Sequence, residues 1–253
     1  MSFENGLESS IASLVMFCVV SSVTFAQVDA EHALLTQALR EHVVDGEVDY
    51  AAIKKDRRFE KYIASLREVT PFAIEDDNER LAFWINTYNA FTVKLINDHS
   101  PISSIREIKQ GGLGPWDIVW IDIDGTMYSL NQIEHEIIRK EFDEPRIHMA
   151  LVCAAKSCPP LRSEAYVGRT LDAQLEDNSR LFLLDQTKNR YDEKSNTLYL
   201  SELFNWYGED FVKRFGSAQK FALDIMGITD VSPAAVKYLP YNWSLNGNSS
   251  TVD

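Results

Sequence analysis

Apolar residues recur at helical spacing from Asp29 to Val43, at Ala33, Leu34, Ala38 and Leu39, and Asp45-Gly46 ends that helix. A second helix is predicted over Phe59 to Val69, stopped by Pro71. A third runs from near Asp77 to about Asn97, followed by a helical turn at Ser104 to Lys109 and a glycine-rich loop. Then the period changes. Ile118, Val119, Trp120, Ile121 and Ile123 favour strand, and Asp124-Gly125 reads as a tight hairpin turn into Met127-Tyr128-Ser129. Ser129 and Gln132 form a capping-box pattern, so a helix starts there and runs to about Lys140. Ile147 to Val152 is an unbroken apolar run of strand length, the mark of a strand covered on both faces. A helix over Leu171 to Leu184, a short strand at Thr197 to Leu200, and a helix from Glu202 to about Phe215 between Ser201 and Gly216 complete the pattern. The polar stretch Asn246 to Asp253 reads as a disordered tail. The order of elements predicts one helix-rich α+β domain over residues 27–245, around a small, mostly antiparallel sheet.

Polar residues that fall on apolar faces are the candidates for function. In the third helix Arg80, Thr87 and Lys94 make one narrow stripe and nearly everything else is apolar, so the helix is enclosed on most sides. Asn86 and Asn89 share a face and point inward, where each needs a partner, either loop backbone or a ligand. In the following helix Leu130, Ile133, Ile137 and Ile138 define the core stripe, with Glu134 in its middle and His135 off it. A buried carboxylate needs a cation or a donor. Arg146 and His148 are the nearest candidates by sequence, which makes Glu134 either half of a structural ion pair or an acid/base that orients a histidine. In the predicted strand His148 and Cys153 point to opposite faces, so a His148–Cys153 dyad needs a bulge, whereas Cys158 lies in a loop that can reach back.

The chain has 253 residues and a net charge of −13, which argues against nucleic acid and anionic membranes as partners. Ile11 to Ala26 is an apolar stretch too short to span a membrane comfortably, and it ends in small residues around Phe25. We read residues 1–26 as a cleaved secretory signal, although no basic residue precedes the apolar stretch. Cleavage removes Cys18 and leaves Cys153 and Cys158 in a periplasmic or secreted protein with no membrane span. There a disulfide is the first expectation, buried inert thiols the second, and a catalytic Cys158 the third. His135, His148, Cys153 and Cys158 could supply four metal ligands, but their spacing matches no zinc pattern, and neither a metal nor a cofactor is expected.

At these residues the chain resembles domain of unknown function family 547. The matching stretches are FWINTYNAFTVKLI from Phe83, YSLNQIEHEIIR from Tyr128, RIHMALVCAAKSCPPLRSEAY from Arg146, LSELFNWYGEDF from Leu200 and YNWSLN from Tyr241. The resemblance implies an exported bacterial single-domain protein and carries over no catalytic role. Eukaryotic relatives set the domain beside modules such as glutaredoxin-like ones, which lends thiol chemistry an analogy only. A remote likeness to papain-like or transglutaminase-like enzymes is a second comparison. Those enzymes place the nucleophilic cysteine on the early helix, where this chain has Asn86 and Asn89. Two readings follow. One is an exported enzyme-like domain with Glu134, His135, His148 and Cys158 at its centre, supported by Asn86, Asn89, Arg146 and Cys153, performing acyl-transfer, hydrolytic or thiol chemistry. The other is a non-catalytic module in which the same groups form a polar network and the loop recognises a small molecule, peptide or protein.

Overall fold

A computed structural model describes residues 32–248. The signal-like segment and residues 249–253 lie outside the described residues. The helix Asp77–His99 forms the axis of the fold. Asp76 caps it by accepting from the Glu79 N–H, and from Leu81 to Asn97 every residue except Lys94 is buried. The helices Ala33–His42, Tyr50–Ile53 and Arg57–Leu66 gather at one side, and the helix Leu171–Leu183 packs against the same axis.

The strands divide among three small sheets, which gives the helix-rich α+β organisation expected. Val43–Val44 pairs antiparallel with Glu47–Asp49, and Gly247–Asn248 adds a parallel strand at the other edge. Ile121–Ile123 and Thr126–Tyr128 form the predicted hairpin, with Asp124 at φ 51° and Gly125 at φ 72°, the left-handed pair that its tight turn requires. The third sheet joins Arg190–Asp192, Thr197–Ser201 and Ala235–Leu239, the last pair in parallel. The helix Ala218–Met226 was not among the expectations, although Ser217 caps it and Gly227 closes it in the left-handed conformation.

Four local expectations are corrected. The apolar run after Arg146 is not a strand. Pro145–Met149 is a 3₁₀ turn capped by the Glu144 side chain, and the chain then continues irregularly through Cys153. An unbroken apolar run marks burial on all sides without choosing between helix and strand, and Pro145 at the first helical position favours the turn. The face-alternation argument separating His148 from Cys153 therefore lapses. The helix over 130–140 forms, but Gln132–Ile138 is wound as π-helix. The helix expected over 202–215 breaks at Tyr207 into the short segments Leu203–Trp206, Gly208–Phe211 and Val212–Phe215. Finally, Asn246 is buried and accepts from the Tyr50 hydroxyl at 2.6 Å, so residues 246–248 belong to the fold and not to a tail.

Two hydrophobic clusters fill the interior. The larger surrounds Trp84 and Phe91, and the smaller Phe204, Phe211 and Phe221. The segment Arg146–Val152 runs between them, with Ile147 and Ala150 in the first cluster and Met149 in the second. Asparagine carboxamides satisfy its backbone. Asn89 donates to Ala150 O and accepts from the Val152 N–H, both at 2.9 Å. Asn86 does the same for Tyr166, at 2.7 and 2.9 Å. Asn89→Ala leaves a buried carbonyl and a buried N–H unpaired, so we expect a loss of about 2–4 kcal/mol in urea unfolding. A loss within the ~0.5 kcal/mol typical of surface changes would show that this pairing does not hold the segment.

Candidate functional site

Glu134 sits inside the π-helical turn, where the Arg139 N–H reaches back to the Glu134 carbonyl. Ser129 and Gln132 cap the start reciprocally, the Ser129 N–H donating to Gln132 Oε1 at 2.8 Å and the Gln132 N–H to Ser129 Oγ at 3.2 Å. The wider winding puts Ile133, Glu134, Ile137 and Ile138 all on the buried side. Single π turns inside helices are uncommon and concentrate at functional sites.

The partners of Glu134 are phenols. The phenols of Tyr88 and Tyr207 lie against its carboxylate, and the indole of Trp116 lies against the Tyr88 hydroxyl behind. Burial, and then the charge of Glu134, push both tyrosines above the usual phenol range. Burial pushes Tyr241 up as well, with smaller contributions from Tyr207 and Glu134. All three are therefore neutral donors at physiological pH. His135 is half-exposed, with Nδ1 3.9 Å from Glu134 Oε1 and 3.2 Å from Arg139 Nη1. A guanidinium can only donate, so Nδ1 accepts and the ring hydrogen sits on Nε2.

Neither cation expected for Glu134 pairs with it. Arg146 bonds Glu144 at 2.8 and 2.7 Å and Asp172 at 2.6 Å, a largely buried ion pair at the start of the 3₁₀ turn. His148 donates from Nε2 to Asp210 at 2.7 Å. Arg139 grips the same carboxylate with two bonds of 2.7 and 2.8 Å. The His148 ring lies flat on Tyr207, centroids 4.1 Å apart and planes 10° from parallel, and Arg139 sits 5.1 Å over that phenol. Glu134 and His148 are thus both out of water and are linked through Tyr207, not directly. The break at Tyr207 makes this possible, since the short turn Gly208–Phe211 then brings Asp210 round to His148.

The sulfurs of Cys153 and Cys158 stand at disulfide distance, 2.30 Å apart. The Tyr241 hydroxyl touches both, at 3.3 and 3.2 Å. The loop between them is fastened to the C-terminal segment, with Lys156 N–H on Ser244 O at 2.8 Å, Ser157 N–H on Asn242 O at 3.2 Å and Asn246 N–H on Ala154 O at 3.1 Å. This strap carries Tyr241 and Trp243, whose rings pack together at 4.7 Å and meet Trp206 at 5.0 and 6.0 Å. Trp116 completes the wall, 5.6 Å from Trp243.

Among the described residues one group has spacing suited to a cation, Glu41, His42 and Asp56, with ligand atoms within 4.8 Å of one another. The Arg58 guanidinium already bonds Glu41 and Asp56 there. Open recesses of about 500 and 450 Å³ adjoin at Gly46 and Lys188, and Glu134, His135, His148 and Tyr207 line neither. No helix among the described residues is long and apolar enough to cross a membrane.

Residues 73–183 match the family model described as "Protein of unknown function, DUF547", consistent with a DUF547 domain over that part of the chain. No curated protein and no solved structure matches the chain. The matched segment holds Tyr88, Glu134, His135, His148 and both cysteines, whereas Tyr207, Asp210 and Tyr241 lie beyond it.

Sequence reasoning missed Tyr88, Arg139, Tyr207, Asp210 and Tyr241. Tyr88 lay on a helix already read as buried, so its hydroxyl signalled a partner. Asp210 and Tyr207 had no signal, because they sat inside what read as one continuous helix. Burial opposes the charge on Asp210, yet the bonds from His148 and Arg139 override it and hold the carboxyl well below the usual range. A depressed carboxyl stabilises the fold above its unfolded value, and that contribution disappears as pH falls through the folded value. Asp210→Asn should therefore destabilise the protein at pH 7 by about 1–3 kcal/mol. The gap from wild type should narrow below pH about 4, where an unfolded carboxylate takes up its proton. Melting curves of both proteins from pH 7 to pH 3 check this, and a gap that widens on acidification contradicts it.

Proposed function

We propose that this chain is an exported enzyme-like domain in which Glu134 is the acid/base group of a hydrolytic or acyl-transfer site. The observation that carries the reading is a carboxylate only 7% exposed, faced by two phenols and set on a π turn beside a half-exposed imidazole. No cation is bonded to this carboxylate, so it faces neutral groups from which an attacking water or alcohol can be placed. Glu134 takes the proton of an attacking water or alcohol as its oxygen bonds to the acyl carbon. Glu134 then returns that proton to the leaving oxygen as the acyl–oxygen bond breaks, while the His135 Nε2–H donates a hydrogen bond to the acyl oxygen that carries the charge in between. His148, Asp210 and Arg139 act as positioning residues for Tyr207, since the His148 side chain is 1% exposed and its Nε2 is engaged by Asp210.

Export is supported by the apolar stretch Ile11 to Ala26 and by the cysteine pair at disulfide distance. The pair is read as a structural disulfide, which withdraws Cys158 as a resting nucleophile. Thiol titration of the mature protein in denaturant should find no free thiol before reduction and two after it. Free thiols without reductant would restore Cys158 as a candidate.

The test of the reaction is a screen of chromogenic esters, amides and glycosides with wild type and Glu134→Gln. We expect at least one substrate class to be turned over, and the amide variant to lose roughly 10²–10⁴-fold in kcat with little change in Tm. No turnover in any class, or equal turnover by the variant, would overturn the reading. The first of these outcomes favours the second reading, a non-catalytic binding module, to which the exposed Trp206 also points.

A further inference from the structure

We infer that a recess against the last turns of the axis helix binds an acylated apolar amino acid with a free carboxylate, either as a small molecule or as the end of a peptide chain. The site is separate from Glu134 and does not rest on the reading above. The recess measures about 320 Å³ and lies between the helix Arg57–Leu66 and the C-terminal part of the helix Asp77–His99. That volume is within the range of small-ligand pockets. Asn97 lines it, two and a half turns beyond Tyr88 on the same helix. The residue is only 4% exposed, yet its carboxamide oxygen has no hydrogen-bond partner. Asn97 is not spent on ending its helix. His99 Nδ1 takes the Leu95 carbonyl at 2.9 Å, Ser100 Oγ the Ile96 carbonyl at 2.7 Å, and Lys54 Nζ the carbonyl of Asn97 itself at 2.6 Å. A buried acceptor left unpaired is costly, and an occupant that brings a donor removes the cost.

The charges and the wall select the rest of the ligand. In a chain of net charge −13, this recess gathers Lys54, Arg67 and Lys94 against Glu60 and Asp98. Lys94 is committed to Asp98 at 2.8 Å. Lys54 holds only a carbonyl, and the Arg67 guanidinium has no ion pair among the described residues. Two uncommitted cations thus stand against one carboxylate, which favours an anion. The wall from Phe59 to Ala64 is apolar at Phe59, Ile63 and Ala64. An inorganic anion would leave that wall and the Asn97 oxygen unused. A plain alkyl or aromatic acid would suit the cations and the wall but brings no donor to Asn97. A free amino acid adds an ammonium beside Lys54 and Arg67. An acylated amino acid meets each condition. Its carboxylate suits the cations, its side chain the wall, and its amide N–H the Asn97 oxygen. Its acyl carbonyl can accept from Lys54, whose ammonium has three hydrogens and spends one on the Asn97 carbonyl.

Calorimetric titration of the whole protein with N-acetyl-leucine and N-acetyl-phenylalanine tests this. The controls are 4-methylpentanoate and 3-phenylpropanoate, which lack the amide, 2-hydroxy-4-methylpentanoate, which has a hydroxyl in its place, and N-acetyl-leucinamide, which lacks the charge. We expect at least one acetylated acid to bind with Kd below about 1 mM, and its controls to bind roughly tenfold or more weakly. Arg67→Ala, at an exposed position, should weaken binding by roughly tenfold at unchanged Tm. Asn97→Leu should weaken it as much with Tm unchanged or raised, because the oxygen it removes has no partner in the free protein. A purely structural asparagine would lower Tm instead. Absence of binding by both acetylated acids at millimolar concentration overturns the inference, as does equal or tighter binding of a control, or an affinity that survives both substitutions. N-acetyl-diglycyl-leucine separates the two sources. Binding as tight as that of N-acetyl-leucine assigns a peptide end, and its loss assigns a free small molecule. Glu134→Gln should leave every affinity within roughly threefold, so failure here and failure of the enzymatic reading are distinguishable.

Discussion

The structure depends on how one apolar backbone segment crosses between two cores without the hydrogen bonds of a sheet. Arg146 to Val152 is buried throughout. Every N–H and C=O that leaves water there needs a partner, and neither a ladder nor a long helix supplies one. The 3₁₀ turn supplies some, with the Ala150 and Leu151 N–H groups on the Ile147 carbonyl at 2.9 Å, and side-chain amides supply others. Asn89 serves both Ala150 and Val152, and Asn178 on the neighbouring helix bonds the Met149 carbonyl. An amide imitates a peptide group, offering one donor and one acceptor at fixed separation. That resemblance makes asparagine, and not a charged residue, the suitable clamp. It also fixes the segment to two long helices at once, so His148 at one end and Cys153 at the other are held to the same frame.

What this rigidity makes possible is a charge held by neutral groups. A carboxylate in an apolar surround is costly unless it is compensated. An arginine would compensate it most strongly, and Arg139 is close enough for its electrostatics to register Glu134. Yet Asp210 takes its two guanidinium bonds. The groups left to face Glu134 are the phenols of Tyr88 and Tyr207, which carry no charge to pair with it. Tyr207 is itself held by the stacked His148 and by Arg139 above it. The two charge systems, Glu134 with its phenols and Asp210 with its cations, therefore share one ring and stay chemically distinct.

The legible parts of this arrangement were the local ones. The box at Ser129 and Gln132, the Asp124-Gly125 turn and the inward asparagines each follow from a few neighbouring residues, and the structure contains all three. Glu134 was legible as a polar residue on an apolar stripe, but not its partners, since Tyr88 and Tyr207 come from helices remote in sequence. The errors share a cause. At 147–152, burial on every side erased the periodicity that separates strand from helix. At 202–215, good helical periodicity continued through Tyr207, where tertiary contacts of the ring with His148, and of Asp210 beyond it, override local preference. The π winding at 132–138 is likewise absent from any spacing rule. Departures from local consistency fall around the proposed centre, where function is expected to compete with regular structure.

The C-terminal strap shows why a short cysteine loop matters in a protein with cores of this size. A bond closing so small a loop removes little chain entropy, about 2 kcal/mol in the usual treatment, so stapling the fold is not its main effect. Its position suits a different task. The loop offers its backbone to residues 242–246, and the sulfurs receive the Tyr241 hydroxyl, so the strap is gripped along its length. Tyr241 packs against both hydrophobic clusters, while Trp243 leans on Trp116 and Trp206. Remove the grip and the aromatic wall beside Glu134 loses one of its two supports, although neither core is breached. A cleft whose wall is fixed in advance loses less conformational freedom when a ligand arrives. The cysteines are therefore best understood through the rings they hold beside Glu134.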